Sequence, residues 1–186
     1  TAVARGKGAH TVLVDDLDTP AVICDLDVLE RNLREMAAYC RDLGILLRPH
    51  TKSHKIPEIA HWQIAAGAIG ICCQKLGEAE VMVAAGIRDI LIPYNIVGKA
   101  KLERLARLAR RAAITVAVDS EETARGIAEQ LQADGVRVRV LIELDTGARR
   151  CGVQSPEEAR ALARALVRLP GLDFQGIMTY PSRPEA

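Results

Sequence analysis

Aromatic residues are scarce: one Phe, one Trp and three Tyr in 186 residues, 3% of the chain. That excludes the stacking platforms on which single-stranded nucleic acids are held. Net charge is nearly absent too, with 25 Lys and Arg against 24 Asp and Glu. Without a basic surplus there is no electrostatic case for nucleic acid or for an anionic membrane. No apolar run reaches the roughly 20 residues that a membrane-spanning helix needs. The opening TAVARGKGAHTVLVDD lacks the apolar stretch of a secretory leader, and an initiator Met is missing, as in a cut or processed chain. Five cysteines (Cys24, Cys40, Cys72, Cys73 and Cys151) form no C-x-x-C and no paired spacing. Their simplest reading is buried, reduced thiols in a cytoplasmic protein. No G-x-G-x-x-G follows any apolar run, so the phosphate-binding turn of an open nucleotide-binding sheet is missing.

What is there is alternation. Hydrophobic residues make up 49% of the chain, enough for one sizeable core. Short apolar runs are followed by longer stretches of helical spacing. PAVICDLD, from Pro20, reads as a strand, as do residues 46–50, 69–74, 89–94, 114–119, 139–145 and 174–180. The stretches between them read as helices with recognisable ends. Asp27 and Glu30 resemble a capping box, with Gly44 at the far end; Ser155, Pro156 and Glu158 open the last helix, and Gly171 follows it. Strand–helix alternation predicts a parallel sheet with crossover helices, and near-continuous apolar strands predict burial on both faces.

Two architectures suit that pattern, an open doubly wound sheet and a (β/α)8 barrel. Polar residues gather at the C-terminal ends of the expected strands: His50 and Lys52, Gln74, Tyr94 and Asn95, Asp119, Glu143 and Asp145, Tyr180. A barrel draws its chemistry from many strand ends at once, so the barrel is favoured.

The segment RPHTKSHK, residues 48–55, concentrates two His and two Lys where an apolar strand stops. Histidines four apart suggest zinc when they lie on a helix, but Pro49 and the preceding strand oppose a helix here. A solvated basic loop is a second reading. A third is a lysine whose amine attacks a carbonyl from a partly desolvated barrel mouth. The residues alone leave the last two open.

LRPHTKSHK, GICCQKLGEAEVMVAAGI, ELDTGARRCGV and GIMTY occur in order and at intervals that resemble the D-threonine aldolase / D-serine dehydratase family. These are pyridoxal-phosphate enzymes on an alanine-racemase type barrel, and the likeness runs from about Asp18 to Tyr180. It implies an α/β fold, a TIM (β/α)8 barrel present as its first six strands. Residues 1–20 would be a tail and 21–186 the barrel domain, with a C-terminal β domain absent. By position it implies that Lys52 forms the Schiff base with pyridoxal 5'-phosphate, Lys55 being the alternative. Arg150 would lie beside the cofactor, with Arg149 facing the surface, and Tyr180 would lie against the pyridine or phosphate. Gln74 would face the same mouth. Glu143 would pair with Arg150 or act in catalysis. The resemblance further implies cleavage of a small D-3-hydroxy amino acid, with D-threonine aldolase ahead of D-serine or D-3-hydroxyaspartate dehydratase. A racemase or a non-catalytic pyridoxal-phosphate-binding protein are further alternatives. A divalent metal (Mn, Mg or Zn) is expected with ligands outside this chain, and a homodimer of the complete enzyme is left open.

Overall fold

The computed structural model describes residues 13–180. Six α-helices and five strands alternate along it: α1 (Leu26–Asp42), α2 (Pro57–Ala65), β1 (Ile71–Cys72), α3 (Leu76–Ala84), β2 (Asp89–Ile92), α4 (Lys99–Ala109), β3 (Ala113–Val118), α5 (Glu121–Asp134), β4 (Val138–Leu144), α6 (Pro156–Leu166) and β5 (Leu172–Thr179). The strands form one sheet in the order β1-β2-β3-β4-β5, every pair parallel. Strand order never reverses, so all the strand C-termini share one end.

The helices decide between the two architectures. Ile90, Ile92, Ile114, Val116, Val118, Val140 and Ile142 are buried against side chains of α2 to α6 in one core cluster. Each fully buried Ile or Val of this kind contributes about 1.5–3 kcal/mol. The alternate residues Leu91, Thr115, Arg139 and Leu141 face away and line a cavity of about 170 Å³ with Arg48 and Gln175. A doubly wound sheet would carry helices on both faces; this one is wound in a single direction, as a barrel is.

Three expectations are corrected. PAVICDLD forms no strand: residues 21–25 are irregular, and Val22 and Ile23 are exposed without a neighbouring backbone to pair. Residues 46–50 contribute only an isolated bridge between His50 and Cys72, so the sheet has five strands where six were expected. Burial is one-sided along β2 and β4, because the inner face borders the cavity. The first helix cap also moves. Asp25 is extended and its carboxylate accepts the Val28 N–H, which places Asp27 in the first turn. Gly44 ends that helix in the left-handed region, and Ser155 caps α6 by accepting the Glu158 N–H, as expected.

The inner face is charged at its N-terminal end. Asp89 Oδ1 lies 2.7 Å from Arg48 Nη1 and 2.9 Å from Arg139 Nη2, bridging two strands and the 46–50 segment. The angles are not those of hydrogen bonds, so the contacts are ionic. Gly70 makes room for them. A Cβ there would sit 2.4 Å from Arg48 Nη1 and 2.6 Å from the Asp89 carbonyl oxygen. Gly70→Ala should therefore destabilise the protein by about 1–3 kcal/mol, read as a lower denaturation midpoint at constant slope. An unchanged midpoint would show that Arg48 yields without cost.

Candidate active site

The RPHTKSHK segment is held by backbone pairing. The Cys72 N–H donates to the Pro49 carbonyl at 2.7 Å, and the Thr51 N–H donates to the Cys72 carbonyl at 2.8 Å. Thr51 is fully buried and its hydroxyl donates to the same carbonyl at 3.1 Å. Beyond it the two histidines act alike. His50 Nδ1 accepts the Lys52 N–H at 3.2 Å, and His54 Nδ1 accepts the Ile56 N–H at 3.0 Å. Each ring thereby closes its own turn, as an Asx side chain does two residues on. With both Nδ1 atoms so engaged and no helix between them, the pair does not form the helical zinc motif.

Burial lowers the pKa of His50, with the Lys52 cation adding to the effect and Glu78 opposing it. Burial likewise lowers that of His54. Both shifts favour the neutral ring that the turns require. The lysines then separate. Lys55 Nζ lies 3.9 Å from Glu78 Oε1. Lys52 Nζ has no carboxylate partner among the described residues and lies 6.0 Å from the centroid of the Tyr180 ring.

The second arm is the loop after β4. The Asp145 carboxylate accepts the N–H groups of Gly147 at 2.9 Å and Arg149 at 3.1 Å, winding the chain around itself. Burial opposes ionisation of that carboxyl, but these N–H groups and Gln154 hold its pKa below the ordinary value. The loop is stapled to its neighbour by Asp119, whose Oδ2 accepts the Gly152 N–H at 3.0 Å. Asp119 Oδ1 accepts from Asn95 Nδ2 at 2.8 Å, so three strand-end loops are tied together. Gly152, at φ +104, has no room for a side chain: a Cβ would lie 2.6 Å from the Asp145 nitrogen.

Held in this way, Arg150 places its guanidinium 4.2 Å from the Tyr180 ring centroid and 5.9 Å from that of Tyr94. A cation over an aromatic face at such range is stabilised by about 0.5–1 kcal/mol where solvent reaches it. Arg149, in the left-handed region at φ 49, is exposed.

Lys52, Arg150 and Tyr180 are therefore brought together from three segments. Gln74 is not tied to them. Its N–H donates to Glu78 Oε2 at 2.8 Å, and its side chain forms no hydrogen bond among the described residues. Tyr94 belongs to the site although only its place in the ring of polar strand ends pointed to it. Of the two readings of Glu143, an ion pair with Arg150 or a role in catalysis, the ion pair is not formed: Arg150 lies over the tyrosines instead. Of the cysteines, Cys40, Cys72 and Cys73 are buried as expected and Cys24 is exposed; all five are free. Burial pushes the Cys72 thiol up to about 12, which makes it a poor nucleophile.

Glu143 is 4% exposed, and its carboxylate has no hydrogen-bond partner among the described residues. Burial raises its pKa, Asp119 and Asp145 add to the rise, and Arg150 opposes it. A raised carboxyl favours the fold below its ordinary pKa, and that contribution is lost as pH rises through the folded value. Glu143→Gln should therefore unfold at a higher temperature than the parent at neutral pH, with the gap closing towards pH 4. A gap that is constant or reversed across that range would assign Glu143 a charged, stabilising role.

Residues 24–186 match the family of the alanine racemase N-terminal domain. A D-threonine aldolase of Arthrobacter sp is 46% identical over 164 residues, which is 88% of this chain and 43% of that protein. The crystal structure of D-threonine aldolase from Filomicrobium marinum superposes with a TM-score of 0.86 at 49% identity, covering 88% of this chain and 44% of that one. D-threo-3-hydroxyaspartate dehydratase from Delftia sp. HT23 superposes with a TM-score of 0.80 at 37% identity, covering 88% and 43%. This chain thus spans less than half the length of these relatives. A parallel, singly wound sheet with polar residues gathered at its strand C-termini, matched over 163 residues, makes it a member of the alanine racemase N-terminal domain family.

Proposed function

We propose that this chain is the cofactor-binding barrel portion of a pyridoxal-phosphate lyase that cleaves D-3-hydroxy amino acids, a D-threonine aldolase first. The observation that carries it is the meeting of Lys52 and Arg150 on the Tyr180 ring, both cations lacking a carboxylate partner among the described residues. That set fits the cofactor: a primary amine for its aldehyde, a guanidinium for an anionic oxygen, an aromatic face for a flat ring. Residues 1–20 are read as a tail to this domain, of which 1–12 lie outside the described residues, and the complete protein is read as a cytoplasmic enzyme. No helix among the described residues is long and apolar enough to cross a membrane.

When bound, pyridoxal phosphate supplies an electron sink for charge that develops at the substrate α-carbon. Lys52 Nζ would hold the cofactor through its amine and is the group placed to accept or return a proton beside the Tyr180 ring. Arg150 would offer its guanidinium to an anionic oxygen of the cofactor, and Tyr180 would offer an aromatic face to its ring. The Asn95–Asp119–Gly152 staple keeps the Arg150 loop from drifting. A divalent metal is expected of the complete enzyme. Among the described residues no group of three His, Cys, Asp or Glu side chains is arranged to hold one, so no step is assigned to it here.

Likeness to a D-threo-3-hydroxyaspartate dehydratase supports a second reading, dehydration, on the same site. Incubation of the complete protein with pyridoxal phosphate and D-threonine separates the two. Glycine and acetaldehyde are the expected products. Ammonia and 2-oxobutanoate would move the assignment to dehydratase, and no turnover of any D-3-hydroxy amino acid would overturn the lyase. Tyr180→Ala should weaken cofactor retention by roughly 2- to 5-fold, the loss of one exposed cation–π contact. Arg150→Ala should lower turnover while leaving the unfolding midpoint nearly unchanged.

A further inference from the structure

His50 takes no part in the chemistry above, yet it touches the backbone of the residue that does. It ends the strand-like segment 46–50 and bridges Cys72 of β1. Its half-buried ring turns back over its own loop, and Nδ1 accepts the Lys52 N–H at 3.2 Å. Nothing else among the described residues accepts that N–H. A nitrogen that accepts carries a lone pair, so the proton of the neutral ring sits on Nε2.

We infer that His50 is a positioning residue for Lys52: its unprotonated Nδ1 fixes the lysine backbone, and with it the direction in which Nζ leaves the loop. This rests on Lys52 being the cofactor lysine. The consequence is a built-in acid sensitivity. A proton on Nδ1 would set two N–H groups against each other, and the turn would lose its closing bond. The charged groups that act on the ring are Lys52 on its own loop and Glu78 from α3; Cys72, across the backbone bridge, is a thiol that burial keeps neutral. Burial and the Lys52 cation hold the ring neutral; Glu78 works against them. The closing bond is therefore intact at neutral pH and is lost as pH falls through the pKa of the folded protein.

Asparagine makes the distinguishing variant. Its side-chain oxygen can accept an N–H two residues on, and it does not titrate. The complete protein is loaded with pyridoxal phosphate, reduced with borohydride between about pH 5 and 8, and the label on Lys52 is quantified by peptide mapping. His50→Ala should reduce labelling by about 2- to 10-fold, the worth of one hydrogen bond. His50→Asn should restore it at neutral pH and flatten the decline on the acid side. In the cofactor-free parent, nitrogen NMR of the imidazole should show His50 with Nδ1 bare and Nε2 protonated, a readout that needs neither variant to fold. Labelling at Lys52 that is indifferent to His50→Ala would overturn the inference. So would a His50→Asn protein that behaves like His50→Ala, or a proton found on Nδ1. A parent labelled on another lysine would instead overturn the assignment of Lys52, and this inference with it.

Discussion

The place of Lys52 depends on the pairing of residues 49–51 with Cys72. The segment contributes a single bridge to the sheet, with the Ile69 N–H donating to the Leu47 carbonyl at 3.0 Å earlier in the segment. Two backbone hydrogen bonds and the buried Thr51 hydroxyl converge on Cys72 from one side. From below, Arg48 is anchored on Asp89, and Gly70 leaves the space for that contact. A lysine two residues beyond the end of a strand-like segment would swing widely; here the chain is fixed on both sides of the turn that carries it. The local stiffness matters because a reactive amine misplaced by about 1 Å loses much of its advantage.

The parallel sheet does the rest of the assembly. Because β1 to β5 run in one direction and in sequential order, every connection from strand to helix lies at the same end. Lys52, Tyr94, Arg150 and Tyr180 are far apart in the chain and close in space for that reason alone. What the sheet does not supply is orientation, and the loop after β4 provides it internally. Asp145 winds the loop, Gly152 admits it against Glu143 and Asp145, and Asp119 ties it to its neighbour. The DTGARRCG stretch is therefore mostly scaffold. One of its residues, Arg150, reaches the tyrosines; its neighbour Arg149, in the left-handed region, does not.

Much of this was legible in the residues. The alternation of apolar runs and helical spacing located all six helices and five strands, because both periods follow from backbone geometry. PAVICDLD misled because its composition suits a strand while no neighbouring backbone pairs with it; composition reports propensity and not the presence of a partner. The 46–50 segment does lie beside Cys72 and shares backbone hydrogen bonds with it, but the pairing is too short to extend beyond an isolated bridge. Lys52, Arg150 and Tyr180 were singled out through resemblance, since strand-end position alone left a basic loop equally open. The double role of histidine in RPHTKSHK was not legible. A ring nitrogen that closes its own turn leaves no periodic trace, and two His four apart look the same whether they hold a metal or a backbone. Nor was the stacking of Arg150 on tyrosine foreseen. An arginine next to a buried glutamate suggests an ion pair until the geometry shows which neighbour it reaches.

The central claim is that Lys52, Arg150 and Tyr180 form one cofactor site at the C-terminal end of this sheet. A crystal structure of the complete protein with pyridoxal phosphate tests it most directly. The expected density runs continuously from Lys52 Nζ into the cofactor, with the Tyr180 ring and the Arg150 guanidinium in contact with it. Density joined to Lys55, or a cofactor bound away from Tyr180, would contradict it.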